Sequence, residues 1–213
     1  MIDTSKTHTL KAGAQQAFLL ASAIIVGIGA SIGLLEHGPF DFSHLHYFTY
    51  LSNFLMVFGY LTLFVLRTKG EEKPWTTYLS ATIVVALLAT GIIYNLILVP
   101  FMGADPATSR YASFSTHVIA PTLALLYYAL FAEKGALTTR HMLVALGFPV
   151  LYWLAFMIVG AVTGHYPYPF MDPATDGIFA VAFWALAILT LFATIAAAIY
   201  ALDHLMGKLT KRI

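Results

Sequence analysis

Residues 75–99 read WTTYLSATIVVALLATGIIYNLILV, a run without one charged side chain. As a helix it covers about 37 Å at about 1.5 Å per residue, more than the roughly 30 Å of a bilayer's hydrocarbon core. Within lipid every backbone N–H and C=O must bond inside its own segment, so the run is predicted to be helical. Five further stretches have the same character: Ala14–Leu35, His44–Leu66, Ser113–Ala132, Met142–Gly164 and Gly177–Leu205. Short polar joins separate them and leave no room for a linker. The expected fold is all-α, a polytopic membrane protein with six transmembrane helices in one bundle, and residues 1–213 form a single domain.

Composition agrees. Of 213 residues, 60% are hydrophobic and 10% are charged, and the mean hydropathy is +0.81. Soluble domains carry about a quarter charged residues. A net charge of +1 provides no basic field for nucleic acid. With no cysteine, disulfide frameworks, thiol catalysis and thiolate metal sites are excluded.

The basic residues set a direction. Lys6 and Lys11 precede the first span, and Arg67, Lys69 and Lys73 lie between the second and third. Lys134 and Arg140 lie between the fourth and fifth, and Lys208, Lys211 and Arg212 follow the sixth. Only Arg110 falls on the other side. The positive-inside rule therefore predicts that both termini are cytoplasmic. The first apolar run exceeds the about 7–15 residues of a signal-peptide core and is read as an uncleaved anchor. Within it, Gly29 and Gly33 have the small-xxx-small spacing that lets helices approach closely.

The spans spend their polar residues in one layer toward the outer side. The second span carries Thr49, Ser52 and Asn53, the third ends with Tyr94 and Asn95, and the fourth re-enters with Ser115, Thr116 and His117. By helical rise, Thr49 and Asn95 each lie roughly 8 Å inside their spans and His117 about 6 Å. Pro121 sits four residues after His117 and has no N–H, which predicts an open carbonyl and a local opening beside the imidazole. Pro149 opens the fifth span similarly, and Tyr152 and Trp153 beside it either line an apolar tunnel or pack the bundle. Residues 165–172, HYPYPFMD, form a stiff aromatic loop placed to cover the layer.

Metal, haem and ion-transport readings fail on counting. There is no H-E-x-x-H pattern, and all ten acidic residues are read in loops or near span ends. A hydroxyl, an imidazole and carboxamides in a layer reached from lipid point instead to acyl transfer. An imidazole base activates a poor alcohol nucleophile, and an amide N–H stabilises an oxyanion. No carboxylate is placed to orient His117. The freed carbonyl, Asn95 or the outer loop is expected to serve instead. Two other readings remain open: a non-catalytic lipid- or cofactor-binding membrane protein, and a small-molecule channel.

Three motifs occur in order on spans two, three and four: Phe48-Thr49-Tyr50-Leu51-Ser52-Asn53, Tyr94-Asn95-Leu96 and Thr116-His117-Val118-Ile119-Ala120-Pro121. With the outer loop, they resemble the androgen-induced gene 1 and androgen-dependent TFPI-regulating protein family, in its bacterial six-helix branch. The resemblance implies an intramembrane threonine hydrolase of fatty-acid esters of hydroxy fatty acids, in a bacterial inner membrane. It puts the nucleophilic threonine at Thr49 and the histidine at His117. Asn53 or Asn95 is the expected oxyanion or substrate support, with Tyr94, His165 and Tyr166 as lining residues. No cofactor or metal is expected. The partner is a membrane lipid substrate and not nucleic acid, and oligomeric state is left open.

Overall fold

Each apolar run becomes a helix in the computed structural model, which describes residues 4–36, 43–103 and 110–210. The helices are α1 (Thr4–Leu35), α2 (Phe48–Thr68), α3 (Trp75–Leu98), α4 (Arg110–Phe131), α5 (Thr139–Thr163) and α6 (Ile178–Thr210). All six are long and apolar enough to cross a membrane, and the described residues contain no strand. The chain is an all-α polytopic bundle. Of the residues used for orientation, Lys211 and Arg212 lie outside the described residues, as does the side chain of Lys6.

The helix ends follow local chemistry. Thr138 and His141 form a capping box at the start of α5, and Gly164, at φ 75°, closes it in the left-handed conformation that glycine adopts freely. Pro149 lies within α5 without breaking it. The second span begins later than its sequence suggests. Residues Ser43–His46 form a separate 3₁₀ turn, extended Tyr47 interrupts the chain, and α2 starts at Phe48. Thr49 is therefore in the first turn of its helix and not about a turn and a half inside.

α3 is the centre of the bundle and touches α2, α4, α5 and α6. α1 lies against α2 and α4, while α5 and α6 pack on each other. Gly29 and Gly33 have the role their spacing suggests. A Cβ on Gly29 would collide with Ser115, and one on Gly33 would sit 2.7 Å from the Tyr50 hydroxyl and 3.2 Å from Ala112. The outward faces of α5 and α6 are apolar, with Val162 81% and Phe179 89% exposed. A belt of this kind is stable against lipid and not against water, so the chain is an integral membrane protein.

One acidic residue departs from expectation. α6 continues to Thr210, past the Leu205 boundary, and this leaves Asp203 inside a helix and fully buried. Tyr128 donates to its Oδ1 at 2.6 Å and the Leu137 N–H to its Oδ2 at 3.0 Å. The carboxylate joins α6 to the end of α4 and to the turn that follows, at the end of the bundle opposite Thr49 and His117.

Candidate functional site

Two helices open at the same level. Residues Tyr94–Leu98 of α3 and Ser115–Ile119 of α4 are π turns. Each is followed, after one intervening residue, by a proline: Pro100 and Pro121. In the second, Ala120 N–H bonds Ser115 O, so the carbonyl of Thr116 would next look to the nitrogen of Pro121, which bears no hydrogen. The His117 carbonyl, four residues before Pro121, is likewise left over. The opening expected beside Pro121 thus takes the form of a π turn, a feature that recurs at functional sites.

The two carboxamides cover those carbonyls. Asn53 Nδ2 donates to Thr116 O at 3.3 Å and to Thr49 O in its own helix at 2.8 Å. Asn95 Nδ2 donates to His117 O at 3.2 Å and to Gly91 O at 2.8 Å. The helices can meet this closely because Gly91 has no side chain. A Cβ there would stand 2.9 Å from the His117 carbonyl oxygen. Ser52 Oγ and Thr90 Oγ1, 3.1 Å apart, tie α2 to α3 just behind.

This framework brings Thr49 and His117 together. Thr49 Oγ1 lies 3.3 Å from His117 Nε2. His117 Nδ1 lies 2.9 Å from the carbonyl oxygen of Ser113. A carbonyl only accepts, so Nδ1 carries the ring proton and Nε2 offers its lone pair to the threonine hydroxyl. The group that orients the imidazole is therefore the Ser113 carbonyl, one turn back on α4, and neither a carboxylate nor Asn95. The Tyr94 ring lies flat on the imidazole, with centroids 3.4 Å apart and an interplanar angle of 11°. Ser113 Oγ donates to the Tyr94 hydroxyl at 2.8 Å, so one residue fixes both rings. Thr49 is half-buried and His117 is 8% exposed, so the hydroxyl is reachable and the base is sheltered.

Two cavities meet at Thr49. One is narrow, about 50 Å³, and apolar, and lies among α2, α3, α5 and α6, with Phe48, Tyr152, Trp153, Ile188 and Phe192 on its walls. The other, of about 320 Å³, opens outward and is lined by His44, Tyr47, Tyr50, Thr116, His117 and Pro167. Thr49, Tyr94, Leu98 and Tyr168 line both. The open cavity is of small-molecule size and the narrow one is not. Tyr152 and Trp153 line the narrow apolar cavity and also pack the core.

The loop over the layer contributes a residue that the sequence reading passed over. Tyr168 accepts a hydrogen bond from the first N–H of α2, Phe48, at 3.1 Å. Its hydroxyl also lies close enough to those of Thr49 and Tyr152 to interact with them. Tyr152 spends its own proton on the carbonyl of His46 at 2.7 Å, so the oxygens of Tyr152 and Thr49 are both acceptors within reach of the Tyr168 proton. Burial pushes the Tyr168 hydroxyl up to about 12, which keeps it a neutral donor across physiological pH.

The expected lining residues divide accordingly. Tyr94 is on both cavities. His165 is exposed and is on neither. Tyr166 is also on neither, and its ring packs on Gly160, where a Cβ would collide with it. A loop has no periodicity from which to read facing, and Tyr168 is two residues further on. Asn53 and Asn95 have both amide protons committed to backbone carbonyls, which makes them scaffold for the π turn and not oxyanion donors.

Asn95→Leu should reveal that role. It strands the His117 carbonyl, and an unsatisfied buried acceptor costs about 1–3 kcal/mol. Thermal unfolding in detergent should show that loss.

The fold and site together define a class: a six-helix membrane bundle holding a threonine–histidine pair between an apolar cavity and an open vestibule. The chain matches no protein-family model, no curated protein and no solved structure.

Proposed function

We propose that the protein is an intramembrane hydrolase of lipid esters, such as fatty-acid esters of hydroxy fatty acids, working through an acyl-threonine. The observation that carries this reading is the hydrogen-bond line from Thr49 Oγ1 through the His117 ring to the Ser113 carbonyl. It has the order nucleophile, base and orienting group. The 3.3 Å separation falls in the looser range usual without substrate.

Thr49 Oγ attacks the ester carbonyl carbon while Nε2 of His117 takes its proton. The resulting imidazolium is held by the Ser113 carbonyl. Tyr168 donates to the oxyanion. The C–O bond to the alcohol then breaks, and the departing oxygen takes the proton from Nε2. Water next attacks the acyl-threonine and gives its proton to His117, which returns it to the Thr49 oxygen. One ester and one water become one acid and one alcohol.

An alkyl fluorophosphonate tests this directly. Purified wild-type protein should be labelled, with the adduct on the tryptic peptide bearing Thr49, and should release fatty acid from lipid esters. Absence of both, or an adduct on another residue, overturns the reading.

The proposal includes orientation in a bacterial inner membrane, with both termini cytoplasmic and Thr49 toward the outer face. Its support is the placement of ten of the eleven Lys and Arg residues. The chain has no cysteine, so single cysteines report without background. His165→Cys should react with an impermeant maleimide in intact spheroplasts, and Lys73→Cys only after permeabilisation. The reverse pattern inverts the topology.

A further inference from the structure

We infer that the acyl chain of the ester lies in the apolar cavity between α3, α5 and α6, and that the departing alcohol occupies the vestibule. This rests on the hydrolase reading above and adds which half of the substrate goes where.

The argument begins with the proton. The group that must protonate the departing oxygen is His117, and His117 borders the vestibule but not the apolar cavity. Thr49 borders both. An ester bound on Thr49 can receive the His117 proton on its alkoxy oxygen only if that oxygen faces the vestibule. The other substituent of the carbonyl carbon is the acyl chain, which must then run the opposite way. The second half of the reaction makes the same demand. Water has to reach His117 after the alcohol has left, and the vestibule is the open, polar side.

The apolar cavity is narrow but continues outward between helices. Pro149, Trp153, Ile188 and Phe192 line it and also line a cleft between α5 and α6. That cleft ends among residues on the lipid-facing surface, with Leu154 55% exposed. A chain longer than the cavity therefore runs on into the hydrocarbon without leaving an apolar environment, and a membrane acyl chain enters by the same gap. The vestibule is the larger and more polar of the two, and its histidines and tyrosines favour an alcohol that carries polar groups to the membrane surface.

Two ester series test the assignment. One varies the acyl group from butyryl to stearoyl on a fixed alcohol, and the other varies the alcohol from methanol to decanol on a fixed acyl group. Ile188→Trp narrows the apolar cavity. It should lower the long-to-short acyl preference in kcat/KM about tenfold or more, the scale at which pockets discriminate a few methylenes. The preference across the alcohol series should not move. Trp153→Ala widens the same cavity and should admit branched acyl groups, which keeps the test open if the tryptophan variant does not fold. An alcohol preference that moves while the acyl preference stays fixed reverses the assignment. An active wild type whose Ile188→Trp and Trp153→Ala variants leave both preferences unmoved overturns it while sparing the hydrolase reading. A wild type that neither hydrolyses esters nor takes the phosphonate overturns both.

Discussion

Thr49→Ala is expected to hydrolyse lipid esters about 10³-fold or more slowly than wild type, because among the described residues Thr49 supplies the hydroxyl bonded to His117 Nε2. Thr49 Oγ1 bonds His117, and its removal leaves the framework of Asn53, Asn95 and Ser52 intact, so the melting temperature should stay near that of wild type. His117→Ala should lose a similar factor. The two groups act on one proton, so the double variant should be about as slow as either single one. Thr49→Ser keeps a hydroxyl and should retain measurable turnover. The measurement is kcat/KM on a lipid ester, together with the amount of acyl-enzyme trapped at low pH. If the double variant multiplies the two single losses, Thr49 and His117 do not share a step, and the pair is then a structural hydrogen bond.

The pair was legible in the sequence because lipid makes polar residues expensive, so a hydroxyl and an imidazole at matching depth on two spans stand out. The six helices were legible for the same reason, since a long uncharged run in a bilayer has little choice but to be helical. Depth, however, is not direction. Asn53 and Asn95 occupy the expected layer, yet their amides turn to the carbonyls of Thr116 and His117. Pro121 carried half of that signal, since it marks where an acceptor is freed. The other half was Pro100, which stands in the same relation to the π turn at Tyr94 as Pro121 does to the one at Ser115. Two prolines, each following a π turn after one intervening residue and each near an asparagine on a neighbouring or the same helix, are a pattern that spacing alone can flag. Tyr168 is different. Its place depends on how a proline-rich loop folds back onto the N-terminus of α2, and no local periodicity encodes that. The start of α2 lies later than the sequence suggests because uncharged residues continue through His44-Leu45-His46-Tyr47 while the α-helix does not, and extended Tyr47 separates the 3₁₀ turn from it.

Asp203→Ala should cost about 2–6 kcal/mol of stability, because it strands two donors at about 1–3 kcal/mol each. The side chain is fully buried and accepts from both Tyr128 and the Leu137 backbone. Alanine leaves a phenol and an amide N–H without their acceptor, and each such group carries its own desolvation cost. The effect extends to Lys134. Its ammonium donates to the carbonyls of Tyr128 and Ala132 and sits 4.6 Å over the Tyr128 ring. Burial lowers the pKa of this lysine while the Asp203 charge works to raise it. Removing that charge leaves the lysine more easily neutralised and the turn after α4 less firmly held. Tyr128→Phe removes one donor and leaves the carboxylate bonded to Leu137, so its loss should be smaller, about 1–2 kcal/mol. In the double variant the losses should be less than additive, because the hydroxyl and the carboxylate share one bond. Thermal unfolding of the detergent-solubilised protein measures all three. The folded fraction of each should keep wild-type kcat, since Thr49 and His117 lie at the other end of the bundle. An Asp203→Ala protein that melts where wild type does would mean that the Tyr128 and Leu137 donors find other acceptors, and that the joint between α4 and α6 does not depend on this carboxylate.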